Sequence, residues 1–201
     1  MRHNPSTVVV LSGHPSAGLL GAISRFMNVA LVRPGDNEDA PSTLRRAAGI
    51  TSPYVLVAAD PLAAVAAEWE SMWEISDAPR RLDEFELRAG EVLASWRAGQ
   101  FELPDYYLVL SEQAPPAAAP SVATPRPDFY LGPLRALRPH RVAVVAASET
   151  QAQAAGILTA LGSLRHGRWW PPLPEVIDSA RSFYPGLLAE RPDGSSVPLL
   201  G

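Results

Sequence analysis

The chain has 201 residues, of which 47% are hydrophobic and 19% are charged, and this is the balance of one folded domain with a full core. Its net charge of −4 implies no general affinity for nucleic acid. It contains no cysteine and all 17 of its basic residues are arginine, which excludes disulfides, thiolate nucleophiles, Schiff-base lysines and a P-loop lysine. The four histidines have no metal-ligand spacing, so no metal site is predicted.

No apolar run approaches the roughly 18 residues that a membrane-spanning helix needs. The first apolar stretch, Val8 to Leu11, is too short for the core of a signal peptide. We therefore expect a cytoplasmic protein with no membrane partner.

The predicted elements alternate between strands and helices. Apolar, β-branched runs predict buried strands, and apolar residues at helical spacing predict the helices between them. In chain order the sequence predicts strand 7–11, helix 16–27, strand 29–32, helix 42–48, strand 54–59, a helix from residue 60, helix 82–98, strand 106–110, strand 141–147, helix 148–164 and helix 174–185.

Cap and breaker residues set the predicted helix boundaries. Ser42 is the expected N-cap of the second helix, and Asp60 with Pro61 starts the third. Asp77-Ala78-Pro79 is expected to end that third helix, and Ser148 with Gln151 fits a capping box for the helix that follows the last strand.

Strands that are apolar throughout and alternate with helices predict a doubly wound α/β fold. We expect a mostly parallel sheet of four or five strands with helices on both faces, in a single domain over 1–201. Residues 114–127, rich in proline and alanine, are predicted to form an exposed loop, and 187–201 a loose C-terminal tail.

The turn Ser12-Gly13-His14-Pro15-Ser16-Ala17-Gly18 follows the first strand. A polar turn with glycines at the start of a helix offers N–H groups and hydroxyls to a phosphate. Leu19-Leu20 stand where a P-loop has Lys-Ser/Thr, so the turn is not a P-loop. A tight strand–helix turn that binds no ligand is the alternative interpretation.

The stretch 8–15, Val-Val-Val-Leu-Ser-Gly-His-Pro, resembles the opening of flavodoxin-like NAD(P)H-dependent FMN reductases. Residues 106–110 and 129–134 resemble that family's flavin-ring strand and Tyr-Asn-Gly loop, and 141–148 resembles its last strand, so that about half of the chain is covered. The resemblance implies a flavodoxin-like fold, FMN as cofactor and reductase activity. The cofactor-binding set that it implies, with the serines and His14 facing phosphate and Tyr130 and Gly132 near the ring, is Ser12, Gly13, His14, Ser16, Tyr130 and Gly132.

The chain departs from this family in lacking its phosphate-turn arginine and an intact Tyr-Asn-Gly. A non-catalytic interaction or scaffold protein that keeps the α/β fold without a cofactor is therefore the competing hypothesis. Asp60, Glu112 and Glu149 each follow a strand, so all three could border one crevice, but no residue is nominated as a general base.

Two features of the sequence concern possible binding partners. Residues 60–112 hold 12 acids against 4 arginines, whereas 126–170 hold 6 arginines against 2 acids. Solvated faces are one interpretation of this asymmetry, and an anion site or a self-complementary dimer contact is the other. The adjacent Trp169 and Trp170 could cover the sheet edge, line a pocket or enter a subunit contact.

Overall fold

A computed structural model of the protein describes residues 6–13, 15–73, 78–111, 128–146, 149–165, 167 and 170–183. The strands are β1 (Thr7–Ser12), β2 (Val29–Val32), β3 (Tyr54–Val57), β4 (Tyr106–Ser111) and β5 (Val142–Ala146). The helices are α1 (Ala17–Ile23), α2 (Ala40–Ala48), α3 (Ala63–Ser71), α4 (Ala78–Arg97), α5 (Arg135–Leu137), α6 (Thr150–Ser163) and α7 (Leu173–Ser182). A π-helical turn at Tyr130–Leu134 leads into α5, and a 3₁₀ turn at Pro139–Arg141 leads into β5.

The five strands form one parallel sheet in the order β2-β3-β1-β4-β5. In the central strand β1, Val10 pairs with Val57 of β3 on one side and with Tyr107 of β4 on the other. The predicted doubly wound α/β fold with a parallel sheet is confirmed. Compared with the order 2-1-3-4-5 of flavodoxin itself, β1 and β3 are exchanged, which puts β1 in the middle of the sheet.

The two faces of the sheet bury two separate apolar cores. Val9 and Leu11 of β1 pack with residues of α1 and α6, whereas Val10 packs with residues of α2, α3, α4 and α7. This alternation follows from the two-residue period of a strand. Since both faces are covered, β1 is apolar from Val8 to Leu11, between Thr7 and Ser12 at its ends.

The connection after β1 packs on one face of the sheet, and the connections after its two neighbours, β3 and β4, pack on the other. The connection after β1 runs through α1 on one face, and the connections after β3 and β4 contribute residues to the core on the other face. Strands whose connections diverge in this way leave a crevice at their carboxyl ends, where open α/β sheets bind ligands. The end of β1 lies at this crevice.

Several predicted boundaries were wrong. The helix predicted over 16–27 ends at Ile23, and Met27, expected on its apolar side, is 99% exposed. Asp39 rather than Ser42 caps α2, and its Oδ1 accepts from the Ser42 N–H at 2.8 Å. Pro79 lies in the first turn of α4, where proline is tolerated.

Other predictions fall partly or wholly outside the described residues. The N-cap of α6 is Glu149, and Ser148 lies outside the described part of the chain. The same holds for the predicted loop 114–127 and the predicted tail 187–201. Within the described residues, none of the helices has both the length and the hydropathy to cross a membrane.

The packing of α6 on β5 depends on Gly156. A Cβ added at this residue would lie 2.8 Å from Cγ1 of Val145, closer than such atoms approach in proteins. We expect Gly156→Ala to lower the free energy of unfolding by about 1–3 kcal/mol, because the helix must move away from the strand.

Gly162→Ala is the matched control in the same helix, because a Cβ there meets nothing within 4 Å. It should raise the free energy of unfolding by about 0.5–1 kcal/mol through helix propensity. Urea unfolding followed by circular dichroism measures both variants. Equal effects of the two substitutions would contradict the described contact between α6 and β5.

Candidate functional site

The turn after β1 requires a glycine at position 13. Gly13 has a φ of +98°, which residues with a side chain rarely adopt, and a Cβ there would lie 3.1 Å from the carbonyl oxygen of Leu110 in β4. The backbone of the turn is therefore held directly against the neighbouring strand.

Ser16 begins α1 by capping it. Its Oγ accepts a hydrogen bond from the Leu19 N–H at 3.1 Å. The N–H groups of Ala17 and Gly18 precede the first intrahelical hydrogen bond and point out of the helix start. The first turn of α6 lies beside them, since a Cβ on Gly18 would be 3.8 Å from Cγ2 of Thr150. The first turn of α1 contains no acidic residue, whereas the N-cap of α6 is Glu149.

Asp60 joins two parts of the chain at the end of β3. Its Oδ1 accepts a hydrogen bond from the Leu62 N–H at 2.8 Å, just before α3. Its Oδ2 accepts from the Tyr130 hydroxyl at 2.5 Å. The residues lie 70 positions apart, so this bond ties the connection after β4 to the end of β3.

The segment that carries Tyr130 is fixed by two other carboxylates. Asp128 Oδ1 accepts from the N–H groups of Tyr130 at 2.8 Å and Leu131 at 2.9 Å. Glu70 Oε1, from α3, accepts from the Phe129 N–H at 3.1 Å. These bonds hold the Tyr130 side chain in one position over the sheet.

Ser12 lies beside this pair of polar side chains. Its hydroxyl interacts with that of Tyr130, whose O–H donates to Asp60. Ser12 and Tyr130 are both buried, at 4% and 6% exposure. The carboxyl ends of β1 and β3 and the connection after β4 therefore meet at Ser12, Asp60 and Tyr130.

Burial sets the acid–base properties of Asp60 and Tyr130. Desolvation raises the pKa of Asp60 from 3.8 to about 6, although the hydrogen bonds from Tyr130 and Leu62 act in the opposite direction. Burial, reinforced by the Asp60 carboxylate, raises the pKa of Tyr130 well above its ordinary value. Asp60 is therefore expected to ionise at a higher pH than an ordinary aspartate.

Aromatic rings surround the inner part of the site. The Tyr107 ring lies 5.5 Å from the Tyr130 ring and 5.8 Å from Trp170. Within the described residues, the buried Tyr107 hydroxyl and Trp170 Nε1 have no hydrogen-bond partner. Burial first, and then the Asp60 carboxylate, raises the pKa of Tyr107 well above its ordinary value. Two buried donors therefore lie in the wall of the site.

The structure brings together only part of the residue set that the sequence indicated. Ser12 and Tyr130 meet, and Gly13 makes the turn beside them. Ser16 is used as a helix cap, and Gly132 lies against Trp69, with 3.6 Å between its added Cβ and the indole. His14 lies outside the described residues.

The strand-end acids separate in the same way. Asp60 enters the site, Glu149 is an exposed residue without a side-chain cap bond, and Glu112 lies outside the described residues. Sequence reasoning missed Tyr107 and the bond from Asp60 to Tyr130. A tyrosine inside an otherwise apolar strand was the available signal for Tyr107, since a buried hydroxyl needs a partner.

An open groove of about 380 Å³ lies at the other end of the sheet. It is lined by Phe26, Met27, Tyr54 and Leu158, and both Met27 and Leu158 are exposed. Among the described residues, no three acidic or histidine side chains are placed to hold a metal ion.

Comparison with protein-family models, with curated proteins and with solved structures finds no match for this chain. The function has to be argued from the site itself.

The raised pKa of Asp60 makes stability depend on pH. A carboxyl whose pKa is higher in the folded protein than in the unfolded chain destabilises the fold once pH rises above the unfolded value. The penalty grows between pH 3.8 and about 6 and reaches at most about 3 kcal/mol. Asp60→Asn keeps an oxygen for the Leu62 N–H but cannot ionise. As pH rises from 4 to 7, we expect the free energy of unfolding of Asp60→Asn to increase relative to that of the wild type. Urea unfolding measures both.

Asp83→Asn is the control, because it removes an exposed carboxylate from α4 and reports the effect of one charge alone. Other titrating groups, such as Glu38 with a pKa lowered to about 2 by Arg46, are common to all three proteins and cancel in the comparison. A constant difference between Asp60→Asn and wild type across this pH range would contradict the raised pKa.

Proposed function

We propose that the protein binds a small phosphate-bearing ligand at the carboxyl edge of its sheet, beside the end of β1. The observation that carries this proposal is the meeting of Ser12, Asp60 and Tyr130 from three separate segments. They meet at the point where the connections of neighbouring strands diverge, which is the general position of ligand sites in such sheets.

The β1–α1 turn supports a phosphate as one part of the ligand. Gly13 places the turn close to β4, and the N–H groups of Ala17 and Gly18 point outward. Thr150 at the start of α6 borders the same turn. The serines contribute less than the sequence predicted, because Ser12 is buried and the Ser16 hydroxyl already caps α1.

The flavin-ring part of the resemblance does not fit this geometry. The Tyr130 ring is buried between Phe129 and Tyr107, at 5.4 and 5.5 Å, and its hydroxyl is bonded to Asp60. Gly132 lies against Trp69. FMN serves as the first phosphate-bearing probe because the resemblance implies it.

FMN and riboflavin differ only by the phosphate, so together they test the proposal. Titration of the protein at 25 °C, followed by quenching of flavin fluorescence, should show FMN binding and at least about tenfold weaker binding of riboflavin, a difference of 1.4 kcal/mol. ADP should compete with FMN. Absence of binding by both FMN and ADP would overturn the proposal.

Substitution of Ala17 locates the phosphate. Ala17 is exposed at the first position of α1, so Ala17→Glu should leave the fold intact and favour the helix dipole. The added negative charge should weaken FMN binding by about tenfold, as expected for a like charge near the anion. The isosteric Ala17→Gln is the control and should bind as the wild type does. Equal binding by Ala17→Glu and Ala17→Gln would place the phosphate elsewhere.

The competing hypothesis is an interaction or scaffold protein without a small ligand. The groove at the opposite end of the sheet is the observation in its favour, because Met27 there is 99% exposed. A protein that binds neither FMN nor ADP would leave this hypothesis as the better account.

A further inference from the structure

Six aromatic side chains form a continuous row on one face of the sheet, which we call the aromatic row. The centroid of each ring lies between 5.4 and 5.9 Å from that of the next. The pairs are tilted or edge-on, which is the preferred geometry of aromatic contacts. In order, the members of the row are Trp73, Trp69, Phe129, Tyr130, Tyr107 and Trp170.

The aromatic row reaches the surface at both ends. Trp73 and Trp170 are partly exposed, whereas the four rings between them are buried. Indole and phenol side chains lose one electron most readily in a protein without cysteine, such as this one. Rings in contact pass an electron vacancy from one to the next, because electron tunnelling weakens steeply with distance. An oxidant at either outer tryptophan can therefore draw an electron from a buried tyrosine.

The proton acceptors along the row decide where the oxidation ends. An oxidised phenol is a strong acid, and it becomes a neutral radical only when a base takes its proton. Tyr130 has such a base, since its O–H donates to Asp60 Oδ2 at 2.5 Å. The buried Tyr107 hydroxyl has no hydrogen-bond partner within the described residues. Of the two tyrosines in the row, Tyr130 is the one that can give up an electron and a proton together.

The tryptophans of the row keep their protons when they are oxidised. Trp69 Nε1 donates to the carbonyl oxygen of Ala180 at 2.9 Å, and an amide carbonyl is too weak a base to remove the proton. In the described part of the chain, the buried Nε1 atoms of Trp73 and Trp170 have no acceptor. An indole that keeps its N–H remains a radical cation, which is a stronger oxidant than the deprotonated radical. The electron vacancy is therefore driven from the indoles to Tyr130.

We infer that Tyr130 is a redox-active tyrosine, oxidised by one electron through the aromatic row while Asp60 takes its proton. The external reactant is a one-electron oxidant that contacts Trp73 or Trp170. One electron passes from Tyr130 to the indole radical cation, the phenolic O–H bond breaks, and an O–H bond forms on Asp60. A radical cation, a phenol and a carboxylate thus become an indole, a neutral phenoxyl radical and a carboxylic acid. The inference is independent of the proposed phosphate site.

Pulse radiolysis with azide radicals tests this step. The azide radical removes one electron from accessible tryptophan, and tryptophanyl and tyrosyl radicals are distinguished by their separate absorption bands. At pH 8, above the Asp60 pKa of about 6, the tryptophanyl band of the wild type should decay as the tyrosyl band grows. The conversion should be first-order and independent of protein concentration, because it occurs within one molecule. Its rate should fall in heavy water, because a proton moves with the electron.

Two matched substitutions each remove one hydroxyl from neighbouring rings of the row. Tyr130→Phe should lose most of the tyrosyl signal, whereas Tyr107→Phe should keep it, because the Tyr107 hydroxyl is not bonded to a base. Asp60→Asn keeps the Tyr130 ring but removes the base, and it should slow the conversion by about a hundredfold. Circular dichroism checks that each variant is folded. The wild-type rates in water and in heavy water test the inference even if Tyr130→Phe does not fold.

Four results would each overturn the inference. The first is a wild-type protein whose tryptophanyl radical decays without first-order growth of the tyrosyl band, and the second is an equal rate in water and in heavy water. The third is a tyrosyl yield that Tyr130→Phe leaves unchanged, because the radical then lies on another tyrosine. The fourth is a wild-type rate in Asp60→Asn, which would exclude Asp60 as the proton acceptor. None of these results bears on FMN binding, so the phosphate site is tested separately.

Discussion

The hydrogen bond from the Tyr130 hydroxyl to Asp60 connects the parts of the chain on which the candidate site depends. Asp60 follows β3, and its side chain accepts a hydrogen bond from the Leu62 N–H just before α3. Its position is therefore set by local structure. Tyr130 lies in the connection after β4, and its hydroxyl donates to Asp60. A partly buried carboxylate is costly unless it is hydrogen-bonded, and the bond from Tyr130 helps to fix how the later segment lies on the sheet.

The order of the strands determines that these groups meet at the end of β1. Because β1 lies between β3 and β4, Ser12 is flanked by the exits of two strands whose connections leave toward the opposite face from α1. The exchange of β1 and β3 relative to flavodoxin keeps such a crevice at the end of β1. A site at the sheet edge is thus a consequence of the fold, whereas its chemistry belongs to Ser12, Tyr130 and Asp60.

Local patterns predicted the elements well and the caps less well. Apolar runs located all five strands to within about two residues because a buried parallel strand must be apolar on both faces. The N-cap of α2 was missed although Pro41 in the first turn favours Asp39 over Ser42. Ser16 was assigned to phosphate, yet a serine at the start of a helix is the ordinary N-cap, and the structure uses it so.

The site itself was only half predictable. Ser12, Gly13 and Tyr130 came from the turn and from the family resemblance, and Asp60 came from its position after a strand. The bond between Asp60 and Tyr130 joins residues 70 positions apart and depends on which strands are neighbours. Hydrophobic periodicity cannot give that order, because every strand of a covered parallel sheet has the same apolar pattern.

The most direct test of this account is the titration of the Asp60 carboxyl carbon by ¹³C NMR in the wild-type protein, assigned by comparison with Asp60→Asn. The account predicts a pKa of about 6, raised by burial despite the hydrogen bonds from Tyr130 and Leu62. A pKa near the ordinary value of 3.8 would show that Asp60 is well solvated, and its partly buried hydrogen bond with Tyr130 would then not exist as described.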